Sequence, residues 1–309
     1  MDPLSDVLSL LKPKGLVSGR IEVGGATAIQ WRKHKGIKCY AVVSGQCWLS
    51  VEGNANTVHL ATGDCFLLPP GPPFRIATDQ SATPVESKTF HSARSPSGEV
   101  PHEDGGECSF VGGHFLLAGS HADILLGNLP PIVHIWKDSD KAVIRWVLER
   151  LNEEANNLSP GSFLITEQLA YMMLVQVLRL HLAEGPKEGV GWLFALSDKQ
   201  MSAAISCVHD DPAHQWTVQN MAEHVGMSRS TFALRFKKTV GMTPIEYLTH
   251  WRMMLAGNRL ENSNDSIYLI AASLGYESES AFGKAFRRVM GCSPRRYSRG
   301  AGAQLPLNH

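Results

Sequence analysis

The sequence predicts a multidomain α+β chain: a small N-terminal β-barrel, a helical middle region and an all-α C-terminal domain with two helix–turn–helix motifs. Three observations carry this. Short alternating segments separated by Gly and Pro run from Ala28 to about Phe115, two long helical apolar patterns lie between Lys141 and Ala183, and an internal repeat follows Met221. The expected segments are 1–125, 126–191 and 192–309.

The 309 residues are 43% hydrophobic and 19% charged, as in ordinary globular proteins, and 29 Lys+Arg balance 29 Asp+Glu. No apolar run approaches the roughly 18–20 residues of a membrane span. Met1-Asp2-Pro3-Leu4 is not a secretory signal. A net charge of zero argues at first against a nucleic-acid partner, but the sum hides a division. Residues 216–309 hold 12 Lys+Arg and 6 Asp+Glu, a net of +6, leaving 17 against 23 and a net of −6 in residues 1–215. That asymmetry points to one basic domain meeting a polyanion.

In the N-terminal part, Gln46 to Gly53 alternates, with Cys47, Leu49 and Val51 on one face and Ser50 and Glu52 on the other. Gly63-Asp64-Cys65-Phe66-Leu67-Leu68-Pro69-Pro70-Gly71 reads as a turn feeding a strand that ends in a Pro-rich corner. The six cysteines (Cys39, Cys47, Cys65, Cys108, Cys207 and Cys292) form no CxxC pair, so neither a zinc module nor a disulfide framework is expected, and reduced thiols are. Cys47, and with it Cys65, reads either as a small buried apolar residue or as a redox sensor, which needs an accessible thiolate. His91, His102, His114 and Cys108 fall in or near the Gly-rich stretch 95–113 and read as a solvated loop or a labile metal site. His34, between Lys33 and Lys35, is expected in solvent.

In the middle, Lys141–Asn156 and Ser162–Ala183 are predicted helices split by Ser159-Pro160-Gly161. Val143, Trp146-Val147 and Leu151 mark the apolar face of the first. The second, with Leu169, Met172-Met173, Val177 and Leu180, is apolar on more than one face, as in a core or an oligomer interface. Glu184 to Gly189 is the linker candidate.

The repeat pairs Met221 to Tyr247 with Ile270 to Tyr297. The offset is 49 at Ala222/Ala271 and Gly226/Gly275, and 50 from Phe232/Phe282 onward, so the second copy has one extra residue in its turn. Each copy reads as helix–turn–helix, about 222–243 and about 270–293. Gly226 supplies a left-handed turn residue, Ser228 an N-cap, and Phe232 and Phe236 one apolar face, with Gly241 and Pro244 ending the second helix. Pro244–Leu260 is a predicted connecting helix with Ile245, Leu248, Trp251, Leu255 and Leu260 as its stripe, and Arg252 and Arg259 off it.

Trp216-Thr217-Val218, Met221-Ala222, Val225 to Ser228, Phe236-Lys237, Gly241 to Pro244 and Tyr247, with Ile270-Ala271, Leu274 to Ser278, Phe282, Ala285 to Arg287, Gly291 and Ser293-Pro294, resemble the AraC/XylS-type DNA-binding domain over about 198–300. Tyr297-Ser298 departs from it, since the family carries an Arg after the aromatic. Upstream, the G-x5-P-x-G spacing of Gly63 to Gly71, together with Gly45, Cys47 to Leu49, Gly112 to Phe115 and Leu129 to Pro131, resembles the cupin-like domain of one branch of that family. The resemblance implies a cytoplasmic, homodimeric transcription regulator without a cofactor, whose partners are promoter DNA, RNA polymerase and a small-molecule or redox effector.

Carried over by position, Ser230, Ala233 and Leu234 face bases, with Arg229, Lys237 and Lys238 on phosphates. In the second copy Glu279, Ser280, Gly283 and Lys284 face bases, and Arg287 and Arg288 lie near the backbone. Glu279 either accepts from a cytosine amino group or caps its helix. Metal-binding cupins carry an H-x-H pair on an early strand and a His after the Pro-rich corner. Here those places hold Cys39 to Val43 and Phe74, so no metal is expected and the barrel reads as non-enzymatic; a metal-dependent cupin enzyme with an appended helical domain is the alternative. The candidate effector pocket comprises Tyr40, Cys47, Cys65 and Phe74.

Overall fold

A computed structural model describes residues 2–11, 13–87, 108–116, 129–156, 159–185 and 191–301. Residues 186–189 of the linker candidate lie outside the described residues, as do His91 and His102. The described residues form two compact units: one holds those between 13 and 184, the other α1 (Pro3–Leu11) together with those from 185 onward. The N-terminal helix thus groups with the C-terminal unit, and the helical middle with the barrel.

The first unit is a curled nine-stranded sheet: β1 (Lys14–Val23), β2 (Ala28–Trp31), β3 (Ile37–Val51), β4 (Val58–Ala61), β5 (Cys65–Leu68), β6 (Phe74–Ala77), β7 (Pro84–Glu86), β8 (Cys108–Leu116) and β9 (Val133–Ile135). Where the sequence suggested two strands, β3 is one. Its first half pairs with β8 and β5, and its second with β4 and β6. A register shift between Val42 and Ser44, next to Gly45 at φ 80°, bends the strand and swaps its alternation. Tyr40 and Val42 before the bend and Cys47, Leu49 and Val51 after it therefore share one interior, with Phe66, Leu68, Phe74, Ile76, Cys108 and Phe110.

Alternation sends Cys39, Ala41, Cys65, Leu67, Val133 and Ile135, all buried, to the outer face. α2 (Asp138–Asn156) and α3 (Ser162–Ala183) pack on these strands and on each other. Asp64, in the turn before β5, is 4% exposed; it accepts from Lys141 Nζ on α2 at 2.7 Å and His134 Nε2 on β9 at 2.9 Å. Glu154 joins the helices, accepting from Arg150 at 2.5 Å and from Ser162 Oγ at 2.7 Å.

The face of α2 differs from expectation: Ile144, Val147 and Leu151 are buried, while Val143 and Trp146 are exposed. α3 buries Leu169, Met173 and Val177 but exposes Phe163, Leu164 and Met172. By length and composition α3 would also cross a membrane, with a mean hydropathy of 1.3 over 18 residues. Glu167 and Arg179 break its run, which is why no unbroken span stands out in the sequence.

The second unit is helical: α4 (Trp192–Ser197), α5 (Lys199–Asp210), α6 (Val218–His224), α7 (Arg229–Val240), α8 (Pro244–Asn262), α9 (Ile267–Ser273), α10 (Glu279–Met290) and α11 (Pro294–Arg296). α1 joins it because Leu4, Val7, Leu8 and Leu11 form one apolar stripe that packs toward α5 and α8. Asp6 meets His209 at 3.2 Å; His209 also bonds the Tyr247 hydroxyl at 2.7 Å and stacks on Trp251 at 3.7 Å.

Candidate nucleic-acid interface and barrel interior

The repeat seen in the sequence is a repeat in space. α6 and α9 are seven residues each, α7 and α10 twelve each. Their caps match pairwise: Thr217 with Ser266, Ser228 with Ser278, and Thr243 with Ser293, each accepting from a first-turn N–H. Gly226 (φ 68°) and Gly275 (φ 77°) make the turns, and Gly241 (φ 89°) and Gly291 (φ 75°) end the second helices. The cores match as well. Phe232–Phe236 and Phe282–Phe286 lie 5.5 and 5.6 Å apart, and Tyr247 and Tyr297 close on Phe236 and Phe286 at 5.8 and 5.4 Å.

With Phe232, Phe236, Phe282 and Phe286 inward, helical geometry leaves the opposite faces of α7 and α10 to solvent. Arg229, Ser230, Leu234, Lys237 and Lys238 are exposed on α7, with Ala233 half-buried. On α10 Glu279, Ser280, Lys284, Arg287 and Arg288 are exposed, with Gly283 half-buried. Of the two readings left for Glu279, the cap is taken by Ser278, whose Oγ accepts from the Ala281 N–H at 3.2 Å. Glu279 is left as the first helical residue, free to face a ligand.

Several residues that position these helices escaped the sequence reading. Arg235 of α7 donates to Asp198 at 2.5 Å and Gln200 at 2.7 Å, tying that helix to the start of α5. Arg252, placed off the stripe by sequence, is 7% exposed. Its guanidinium donates to the Pro212 and His214 carbonyls at 2.6 and 2.8 Å and lies 5.5 Å from the Tyr276 ring. Gln215 Nε2 donates to the Gly275 carbonyl at 2.9 Å, and a Cβ on Gly275 would collide with the Ala213 carbonyl. The segment 211–216 therefore clamps the second turn, and α8 holds both modules in one fixed relation. Conversely Ile245, expected on the α8 stripe, is exposed.

In the barrel Tyr40 and Cys47 face the filled interior, and Phe74 faces a small cavity of about 30 Å³. Cys65 is a correction: Phe66 and Leu68 take the inward places, so Cys65 points to the helices. Cys39, Cys47 and Cys65 are buried. The Cys47 thiol is pushed up by its hydrogen bond to Cys108 and by burial, and burial pushes Cys39 and Cys65 up, away from the thiolate a sensor needs. Cys108 and His114 stand six residues apart on β8, roughly 20 Å, and do not converge.

His34 is also corrected: its ring is not solvated but packs edge-on to Phe74 at 5.5 Å, lines the cavity, and is held near 4 by burial and the neighbouring charge of Lys38. Lys38, missed in the sequence, is 9% exposed, and burial lowers it to about 8. Its signal was a single cation two residues before Tyr40 on an inward strand.

Two exposed cationic helices on a duplicated scaffold, in a chain whose other unit is a curled β-sheet, define a DNA-binding regulator with a second domain. A cupin family model matches residues 2–183, and a helix-turn-helix domain model matches 221–300. An AraC-like transcription regulator of Streptomyces lividans is 41% identical over 96% of this chain and 98% of its own length. One from Streptomyces antibioticus is 40% identical with the same coverage. The DNA-binding domain of AdpA, solved in complex with a target DNA, is 30% identical over 34% of this chain and 95% of that one, with a TM-score of 0.31. The chain belongs to the AraC-like family of transcription regulators and is a DNA-binding protein with a cupin-like N-terminal domain.

Proposed function

We propose that α7 and α10 enter two neighbouring major-groove segments of a promoter, one from each module. Ser230, Ala233 and Leu234, with Glu279, Ser280, Gly283 and Lys284, meet base edges; Arg229, Lys237, Lys238, Arg287 and Arg288 meet phosphates. The observation that carries this is the pairing of two equally capped, equally exposed cationic helices on α8. Nineteen residues at about 1.5 Å each make that helix about 28 Å long, which suits groove segments about 34 Å apart. Ala233 and Leu234 offer only apolar contact, so the first module reads thymine methyls and shape.

The barrel unit takes up a small effector and shifts the populations of DNA-competent arrangements. We read it as non-catalytic: among the described residues no three His, Cys, Asp or Glu side chains converge, and the relatives are named as regulators. The exposed Val143, Trp146, Phe163, Leu164 and Met172 on α2 and α3 support a homodimer, and the family implies a cytoplasmic site and contact with RNA polymerase. Sequencing the genomic DNA that co-purifies with the full-length protein tests the reading. A recurrent motif with two separated blocks is expected; an even genomic background would contradict it.

A further inference from the structure

The two modules present one scaffold with two outward faces. At an offset of 50, Ser230 corresponds to Ser280, and Lys237 and Lys238 to Arg287 and Arg288. The faces differ in kind at three positions: Arg229 against Glu279, Ala233 against Gly283 and Leu234 against Lys284. Of these, Gly283 is the residue that the fold does not account for. From residue 226 to 300 every other glycine has a local reason. Gly226, Gly241, Gly275, Gly291 and Gly300 hold φ between 68° and 89°, and a Cβ on Gly257 would press on Met290 and Tyr297 at 3.0 and 3.2 Å. Gly283 sits inside α10 without a positive φ, and a Cβ there would meet nothing within 4 Å.

A glycine inside a helix, with free space where its side chain would stand, costs stability relative to alanine. Ala233 holds that methyl at the same place in the other module. What the missing side chain provides therefore lies outside the chain: the backbone of α10 comes roughly 1.5 Å, one C–C bond, closer to a ligand. Glu279 stands one turn before Gly283, at i and i+4, on the same side of the helix. When ionised it only accepts hydrogen bonds and is repelled by phosphates, so it does not share the role of Arg229. In the major groove guanine and thymine offer acceptors, and adenine sets an acceptor beside its amino group. Cytosine offers the amino group alone. The carboxylate selects cytosine.

We propose that α10 seats its backbone against the duplex at Gly283, closer than α7 comes at Ala233, and that Glu279 there accepts from a cytosine amino group. The second module is then the one that demands a particular base pair, and Gly283 positions the group that reads it. This rests on the reading of α7 and α10 as the helices that enter the groove, and adds the base that the second block requires.

The test is selection of sites from a randomised duplex library by full-length wild type, Glu279→Gln and Gly283→Ala. Affinities on the wild-type consensus and thermal unfolding, followed by helical circular dichroism, complete it. Wild type should select two blocks, one of them with a fixed C·G pair. Glu279→Gln should turn that cytosine into adenine, which pairs with a Gln amide, and leave the other block unchanged. Gly283→Ala should raise the Tm by about 3 °C, yet bind the consensus about tenfold more weakly. A Gly283→Ala protein that binds as tightly as wild type, or melts below it, would overturn the proposal. So would an unchanged base preference in Glu279→Gln, or tighter binding by it on every sequence, which would place the carboxylate over phosphates. Two blocks that ignore both substitutions remove this proposal and leave the groove reading standing. A library from which wild type enriches nothing removes both.

Discussion

Lys237 and Arg287 occupy equivalent places, offset by 50, on the last turns of α7 and α10, and both are exposed. Replacing either by Ala should weaken binding similarly on all DNA sequences and reduce the slope of log affinity against log salt by about one. Gel-shift titrations at several salt concentrations check this, and a change of base preference with an unaltered slope would reassign the residue. Asp64 sets a different kind of expectation. Its carboxylate is shared by Lys141, His134 and the Ala61 N–H, so Asp64→Ala leaves three donors without their acceptor. A loss of about 3 kcal/mol follows, read by denaturant unfolding. His209 gives a pH signature. Burial lowers its pKa to about 3, so in the native state its Nδ1–H donates to Asp6 while Nε2 accepts from Tyr247. Below about 6.5 the unfolded chain binds a proton that the native state does not. Stability is therefore lost as pH falls from 7 to 5, and His209→Phe should flatten that part of a Tm-against-pH curve. Asp64, His209 and Arg252 were not legible beforehand, because they owe their roles to partners distant in sequence, whereas Ser228 and Gly226 act on their own turn.

At the scale of elements, what depends on local pattern was legible: the caps, the glycine turns and the Phe232/Phe236 and Phe282/Phe286 faces stand where the repeat put them. Faces decided by tertiary packing were not. α2 turns Ile144 inward in place of Val143 and Trp146 because only that face meets the sheet and α3. Cys65 follows the same logic, its side chosen by the alternation of β5 and not by its hydrophobicity. α1 was unmarked in the sequence reading, yet it places five buried side chains and Asp6 in the C-terminal unit. Removing residues 2–12 should expose the pocket around His209 and lower the Tm by at least about 5 °C, measured by circular dichroism. An unchanged Tm would mean that the helix adds nothing to the unit.

For the whole molecule, the zero net charge is a cancellation between a −6 stretch and a +6 stretch, and the +6 part carries the two exposed cationic helices. What the sequence could not convey is how rigidly the modules are joined, since that depends on Arg252, Gln215 and the close approach at Gly275. A rigid pair should bind as a unit, so loss of one module's contacts should cost affinity on both half-segments together. Hydroxyl-radical footprinting of the full-length protein on a fragment recovered from co-purified genomic DNA tests this most directly. Two protected segments on one face of the duplex are predicted, about 10 base pairs apart, both weakened together by Arg287→Ala. A single protected segment, or one indifferent to Arg287→Ala, would contradict the two-module grip.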